Sequence, residues 1–159
     1  MPLSLLGIFH TIVGGGAVLG VIYLLWRDKQ ITLENRLGQI YLVATVVTAA
    51  TALGIYKHGE PNAAHFLAAL TIAAVVVGVI ASTTTFLGGY KKYIVALCFS
   101  ATVLFHALPT ATEILTRFPA EAPMVGSLED PLLQKTFLVI LVIFTLSLLA
   151  QMNWLRKQP

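Results

Sequence analysis

"AAHFLAALTIAAVVVGVIASTTTFL", residues 63–87, contains no Asp, Glu, Lys or Arg. Wound as a helix rising about 1.5 Å per residue, it is long enough to cross a hydrocarbon core of about 30 Å. Four more apolar runs surround it, at 3–26, 37–56, 93–118 and 132–155, and the segments between them hold most of the charges and prolines. Of the 159 residues, 57% are hydrophobic and only 11% are charged. A soluble domain carries about a quarter charged residues, so this composition does not suit a water-facing surface. The pattern predicts an all-α, polytopic membrane protein: one integral membrane domain over 1–159, built as a bundle of five transmembrane helices.

The first run reads as a retained span. It has no basic segment before it, and no small-x-small cleavage pattern precedes "WRDKQ" at 26–30. With the N-terminus outside, the inner segments collect Arg27, Lys29, Arg36, Lys91, Lys92, Arg156 and Lys157. The outer segments then hold Lys57, Arg117 and Lys135. Seven basic residues against three predict N-terminus out and C-terminus in. The net charge of +3 follows from that arrangement, and no arginine-rich run or aromatic interleaving points to nucleic acid. The single cysteine, Cys98, rules out an internal disulfide and reads as a buried thiol acting as a small hydrophobe.

The turns "KHGEPN" at 57–62 and "LGGYKKY" at 87–93 are short, so the second, third and fourth spans should lie antiparallel as neighbours. "PAEAPMVGSLEDP" at 119–131 is long enough to fold over the outer mouth, with Ser127 as an expected cap for the fifth helix. Glycines at 14, 15, 16 and 20 invite close helix approach, and Gly16-x-x-x-Gly20 has the spacing for it. "LVILVIFTLSLL" at 138–149 is bulky throughout and predicts a peripheral, lipid-facing helix.

"FHALPTATEILTRFP" at 105–119 is the polar exception within a span. At 100° per residue, His106, Thr110, Glu113 and Arg117 form one stripe on one helix face. Pro109 withdraws a hydrogen bond from Phe105 and predicts a kink beside His106. His10, among Gly7, Gly14 and Ala17, and His65, at the outer start of the third span, fall in the same outer half; His58 sits in the turn before the latter and reads as solvated. Intramembrane ionisable groups are candidates for function.

Several chemistries fit these residues. Glu113 and Arg117 at i, i+4 can simply pair near the interface, and the histidines can tie helices together. Interhelical bonding is also the reading for Tyr41, Thr45 and Thr48, which share one face of the second span. A haem b held by His10 and His106 from facing helices is a second reading, since axial imidazoles must approach the iron from opposite sides. A transition-metal site of His10, His65, His106 and Glu113 is a third, as imidazole with carboxylate suits zinc, copper or iron. Proton handling by His106 and Glu113 is a fourth. No phosphate-binding loop, nucleophile elbow or H-E-x-x-H helix is present.

"NRLGQIY" at 35–41, opening a span after a basic loop, resembles uncharacterised bacterial families described as predicted multi-pass membrane proteins. Those proteins carry a His/Arg-rich turn where this chain has "GGYKKY". The resemblance implies a bacterial cytoplasmic (inner) membrane and supplies no activity. The expected function is therefore an outward-facing His/Glu site binding haem or a transition metal, for instance in electron transfer. The alternative is a non-catalytic membrane subunit or assembly partner with a structural polar cluster. Expected partners are the lipid bilayer and either another membrane protein or a second copy of the chain.

Overall fold

The computed structural model describes residues 4–55, 60 and 62–158. His58, Lys57 and the end of the second expected span at Tyr56 lie outside the described residues. Among the described residues, five long helices carry the fold: α1 Leu5–Asp28, α2 Arg36–Ala52, α3 Ala63–Thr83, α4 Lys91–Arg117 and α5 Pro131–Arg156. A short 3-10 turn, Gly88–Tyr90, leads into α4, and no strand occurs among the described residues. Consecutive helices pack as neighbours, and α1 also touches α4.

Local chemistry explains most helix starts. Ser4, Asn35 and Asn62 each accept a hydrogen bond from a first-turn amide, which would otherwise be an orphan donor. α1 ends at Lys29, a left-handed residue at φ 61° whose N–H donates to the Leu25 carbonyl. The fifth helix departs from expectation. Asp130, followed by Pro131, caps it by accepting from the Leu132 amide; Ser127 contributes only its carbonyl, to the Asp130 amide. Proline at the first helical position loses an N–H that had no partner anyway, which favours the later start.

Four helices, α1, α3, α5 and α4 with its preceding turn, are long and apolar enough to cross a membrane. α2 is the exception. It has 17 residues, about 25 Å, shorter than the 37–56 run suggested. It also carries Gln39, Tyr41, Thr45, Thr48 and Thr51. The helix tolerates this content because its neighbours cover the face that carries Tyr41, Thr45 and Thr48, while Ile40 and Val43 on the other side are exposed. Tyr41, Leu42, Thr45, Thr48 and Ala49 are all buried. The core around it contains Val21 and Leu24 of α1, Ile31 of the following loop, and Phe99 of α4.

α5 is peripheral, as its bulky sequence predicted. It packs on α4 and buries little beyond Leu133, Gln151 and Leu155. The 118–130 connection folds back on α4: Val125 is buried, and its amide donates to the Leu115 carbonyl.

Glycine contacts correct one expectation. A Cβ added at Gly16 or Gly20 would meet nothing within 4 Å, because both line an open groove of about 320 Å³ between α1 and α2. The close approach falls instead at Gly14, where a Cβ would lie 3.0 Å from the Thr48 methyl. Gly78 faces the Phe99 ring so tightly that any Cβ would overlap it. Cys98 is half-buried and free, less enclosed than its position suggested.

Candidate functional site

Tyr41, Thr45, Thr48 and Thr51 repeat at helical spacing and form one polar seam along α2. Two other helices present matched i, i+4 pairs to it. α1 brings His10 and Gly14; α4 brings Thr102 and His106. The threonines remain helical because their hydroxyls bond back to carbonyls one turn earlier. Thr48 donates to Ala44 and Thr51 to Val47 and Thr48.

On the α4 side, the Tyr41 and Thr102 hydroxyls are 2.7 Å apart. Thr102 donates to the Phe99 carbonyl at 2.6 Å, so it accepts from Tyr41. His106 Nε2 is bonded to Thr45 Oγ1 at 3.1 Å, and Thr45 also reaches the Tyr41 hydroxyl. The Tyr41 and His106 rings are 6.2 Å apart and tilted. Thr45 and Thr102 have no exposed surface.

On the α1 side, His10 Nδ1 lies 3.0 Å from the Thr48 carbonyl and 3.1 Å from Thr51 Oγ1. A carbonyl oxygen can only accept, so Nδ1 carries a proton. The two imidazoles thus reach the same stretch of α2 from two sides.

The remaining expected residues go elsewhere. His65 belongs to a capping box: the Asn62 amide donates to its Nδ1 at the start of α3. Glu113 and Arg117 form an i, i+4 ion pair, and both are substantially exposed. Thr110 donates to the His106 carbonyl. α4 runs through Pro109 as one continuous helix. Among the described residues, no three of His, Cys, Asp and Glu come together. The four-residue metal set is therefore not gathered: His10 and His106 bond to α2, His65 sits in the capping box of α3, and Glu113 pairs with Arg117. The bonding expected of Tyr41, Thr45 and Thr48 does link helices.

A second polar junction sits near the other end and was not expected. Gln151 of α5 accepts from Ser100 of α4 at 2.8 Å and donates to the Lys29 carbonyl at 2.8 Å. One amide thereby ties α4, α5 and the end of α1. Its signal was a lone glutamine among bulky apolar residues one turn from a helix end. Thr102 had a signal too, four residues before His106 on the same face.

No family model, curated protein or solved structure matches this chain.

Proposed function

We propose that this chain is a multi-pass protein of a bacterial cytoplasmic membrane, N-terminus outside and C-terminus inside. In this reading it serves as a non-catalytic subunit or assembly partner. The observation that carries it is the state of the interior. Among the described residues, every buried polar side chain bonds within the chain: Thr45, Thr48, His65, Thr71, Ser100, Thr102, His106 and Gln151. Of these, the Thr45–His106, Ser100–Gln151 and Tyr41–Thr102 bonds cross between helices and fix which faces meet, in a solvent that offers no hydrophobic drive between helices. Thr48, His65 and Thr71 bond within their own helices or caps. The seven-to-three distribution of basic residues supports the orientation, and the "NRLGQIY" resemblance supports the membrane. Light scattering on protein extracted in mild detergent tests the assignment. Assembly predicts a protein mass above one chain; a strictly single-chain particle removes the subunit reading.

One observation favours a second reading, a cofactor on His10 and His106. A ligating histidine usually donates its other ring N–H to a carbonyl or carboxylate, as His10 does to Thr48. Gly14 against the Thr48 methyl closes α1 onto α2 beside this ring. That packing suits a small transition-metal ion better than a haem, whose macrocycle would have to part the two helices. His65 and Glu113 drop out of the set. The absorbance spectrum and elemental analysis of purified protein decide it. A metal near one equivalent, lost in both His10→Ala and His106→Ala, supports the cofactor. A Soret band with the same losses would identify haem. Absence of iron, copper and zinc removes this reading.

A further inference from the structure

The ends of α1, α3 and α5 meet the starts of α2 and α4 at one end of the bundle. Aromatic and basic residues concentrate there: Trp26 and Phe86 are 80% and 82% exposed, and Tyr90 is 76% exposed. Aromatic rings exposed at the ends of apolar helices are characteristic of headgroup level. Between α4 and α5 this end opens into a groove of about 510 Å³, lined by Tyr90, Tyr93, Met152, Asn153 and Arg156.

Its electrostatics are one-sided. Segments 88–98 and 147–158 contain Lys91, Lys92, Arg156 and Lys157 and no acid. Of the acids at this end, Asp28 is already bonded to Arg27 through both carboxylate oxygens. Arg156 is held in place by an Nη2 donation to Asn153 Oδ1 at 3.1 Å, and Lys92 donates to the Gln158 carbonyl at 2.8 Å. The phenols of Tyr90 and Tyr93 and the Asn153 amide add neutral donors. Toward the middle of the bundle, beyond the groove, the same helix faces turn apolar. Leu97 follows Tyr93 by one turn and Leu149 precedes Asn153 by one, and they are 48% and 60% exposed.

We infer that this groove seats an anionic phospholipid, its phosphate between Arg156 and the tyrosine hydroxyls and its acyl chains over Leu97 and Leu149. Basic pockets between membrane helices hold anionic headgroups by this combination of charge and donors. A soluble anion would meet the same cations but has no use for the apolar faces. The inference rests on the membrane reading above, and its test keeps the two apart.

The full chain is floated with phosphatidylcholine vesicles, then with vesicles also containing phosphatidylglycerol, and retained lipid is counted by native mass spectrometry after extraction. Flotation with phosphatidylcholine alone checks the membrane reading. Failure to float with either vesicle overturns both that reading and the lipid site. Selective retention of phosphatidylglycerol is the expected result. Arg156→Gln should weaken it about fivefold, Arg156→Lys much less, and Lys135→Gln at the opposite end not at all. Circular dichroism of each variant confirms that it is folded. Equal retention of both lipids, or equal loss in Lys135→Gln, overturns the site while leaving the membrane reading intact. Inorganic phosphate alone should not raise the melting temperature; a rise would assign the groove to a soluble anion and overturn the lipid.

Discussion

Thr45 shows how much a single hydroxyl can organise in this protein. It lies on α2, has no exposed surface, and bonds to His106 across a helix interface while touching the Tyr41 hydroxyl. Hydrogen bonds between membrane helices average about 0.6 kcal/mol and reach about 1.7 kcal/mol. Thr45→Val keeps the shape and removes the hydroxyl, so we expect a loss of about 1 kcal/mol in reversible unfolding from micelles. Combined with His106→Leu, the two losses should be less than additive, since both delete the same bond. Strict additivity would show that the seam is not energetically linked. Gly78 is a separate case, in which shape alone decides. Gly78→Ala forces a methyl into the Phe99 ring and should cost about 1–3 kcal/mol, with part recovered by Phe99→Leu. The sequence made His10, His106 and the Tyr41–Thr45–Thr48 face legible as polar positions in an apolar run. It could not assign their partners, because those residues are 38 to 61 positions apart in the chain.

At the scale of elements, α2 and α5 are opposites. α2 is the shortest of the five long helices and buries a polar face against its neighbours; α5 is strongly apolar and mostly uncovered. Gln151 is the polar anchor of α5, joining Ser100 and the Lys29 carbonyl. Gln151→Leu leaves that carbonyl without its donor and should loosen α5 specifically. Amide exchange should rise in the second half of α5 and around Lys29, with α2 unaffected; a uniform rise would mean global destabilisation. α2 depends on its start. A Cβ at Gly38 would run into the Thr32 carbonyl, a backbone atom that cannot turn aside. Gly38→Ala should therefore reduce the folded yield more than Gly20→Ala, whose Cβ enters open space; gel filtration in detergent measures both. The five runs were legible as elements because each is long, apolar and bounded by charge. The cap of α5 and the length of α2 were not, since both depend on which of several adjacent turn residues the tertiary fold engages.

For the molecule as a whole, the described residues form five long helices, four of them long and apolar enough to cross a membrane. The proposed topology, in which all five cross, puts the termini on opposite sides. Reporter fusions should read the N-terminus outside and the C-terminus inside. Both termini on one side would mean that α2, at 17 residues the shortest of the five long helices, does not cross. Charge reversal offers a second check: Lys91→Glu with Lys92→Glu removes two of seven inner charges and should increase the fraction of misoriented protein, read by protease protection.

Hydropathy, run length and charge placement are properties of contiguous residues, so the sequence alone determined that the chain is all-helical, with five apolar runs and a basic end. Which imidazole meets which hydroxyl is a property of helix rotation and neighbour choice. Those are set by close packing at Gly14 and Gly78 and by bonds between distant turns. For that reason only the tertiary structure could join His10 and His106 to α2, send His65 and Glu113 to other partners, and give Gln151 its three-helix junction.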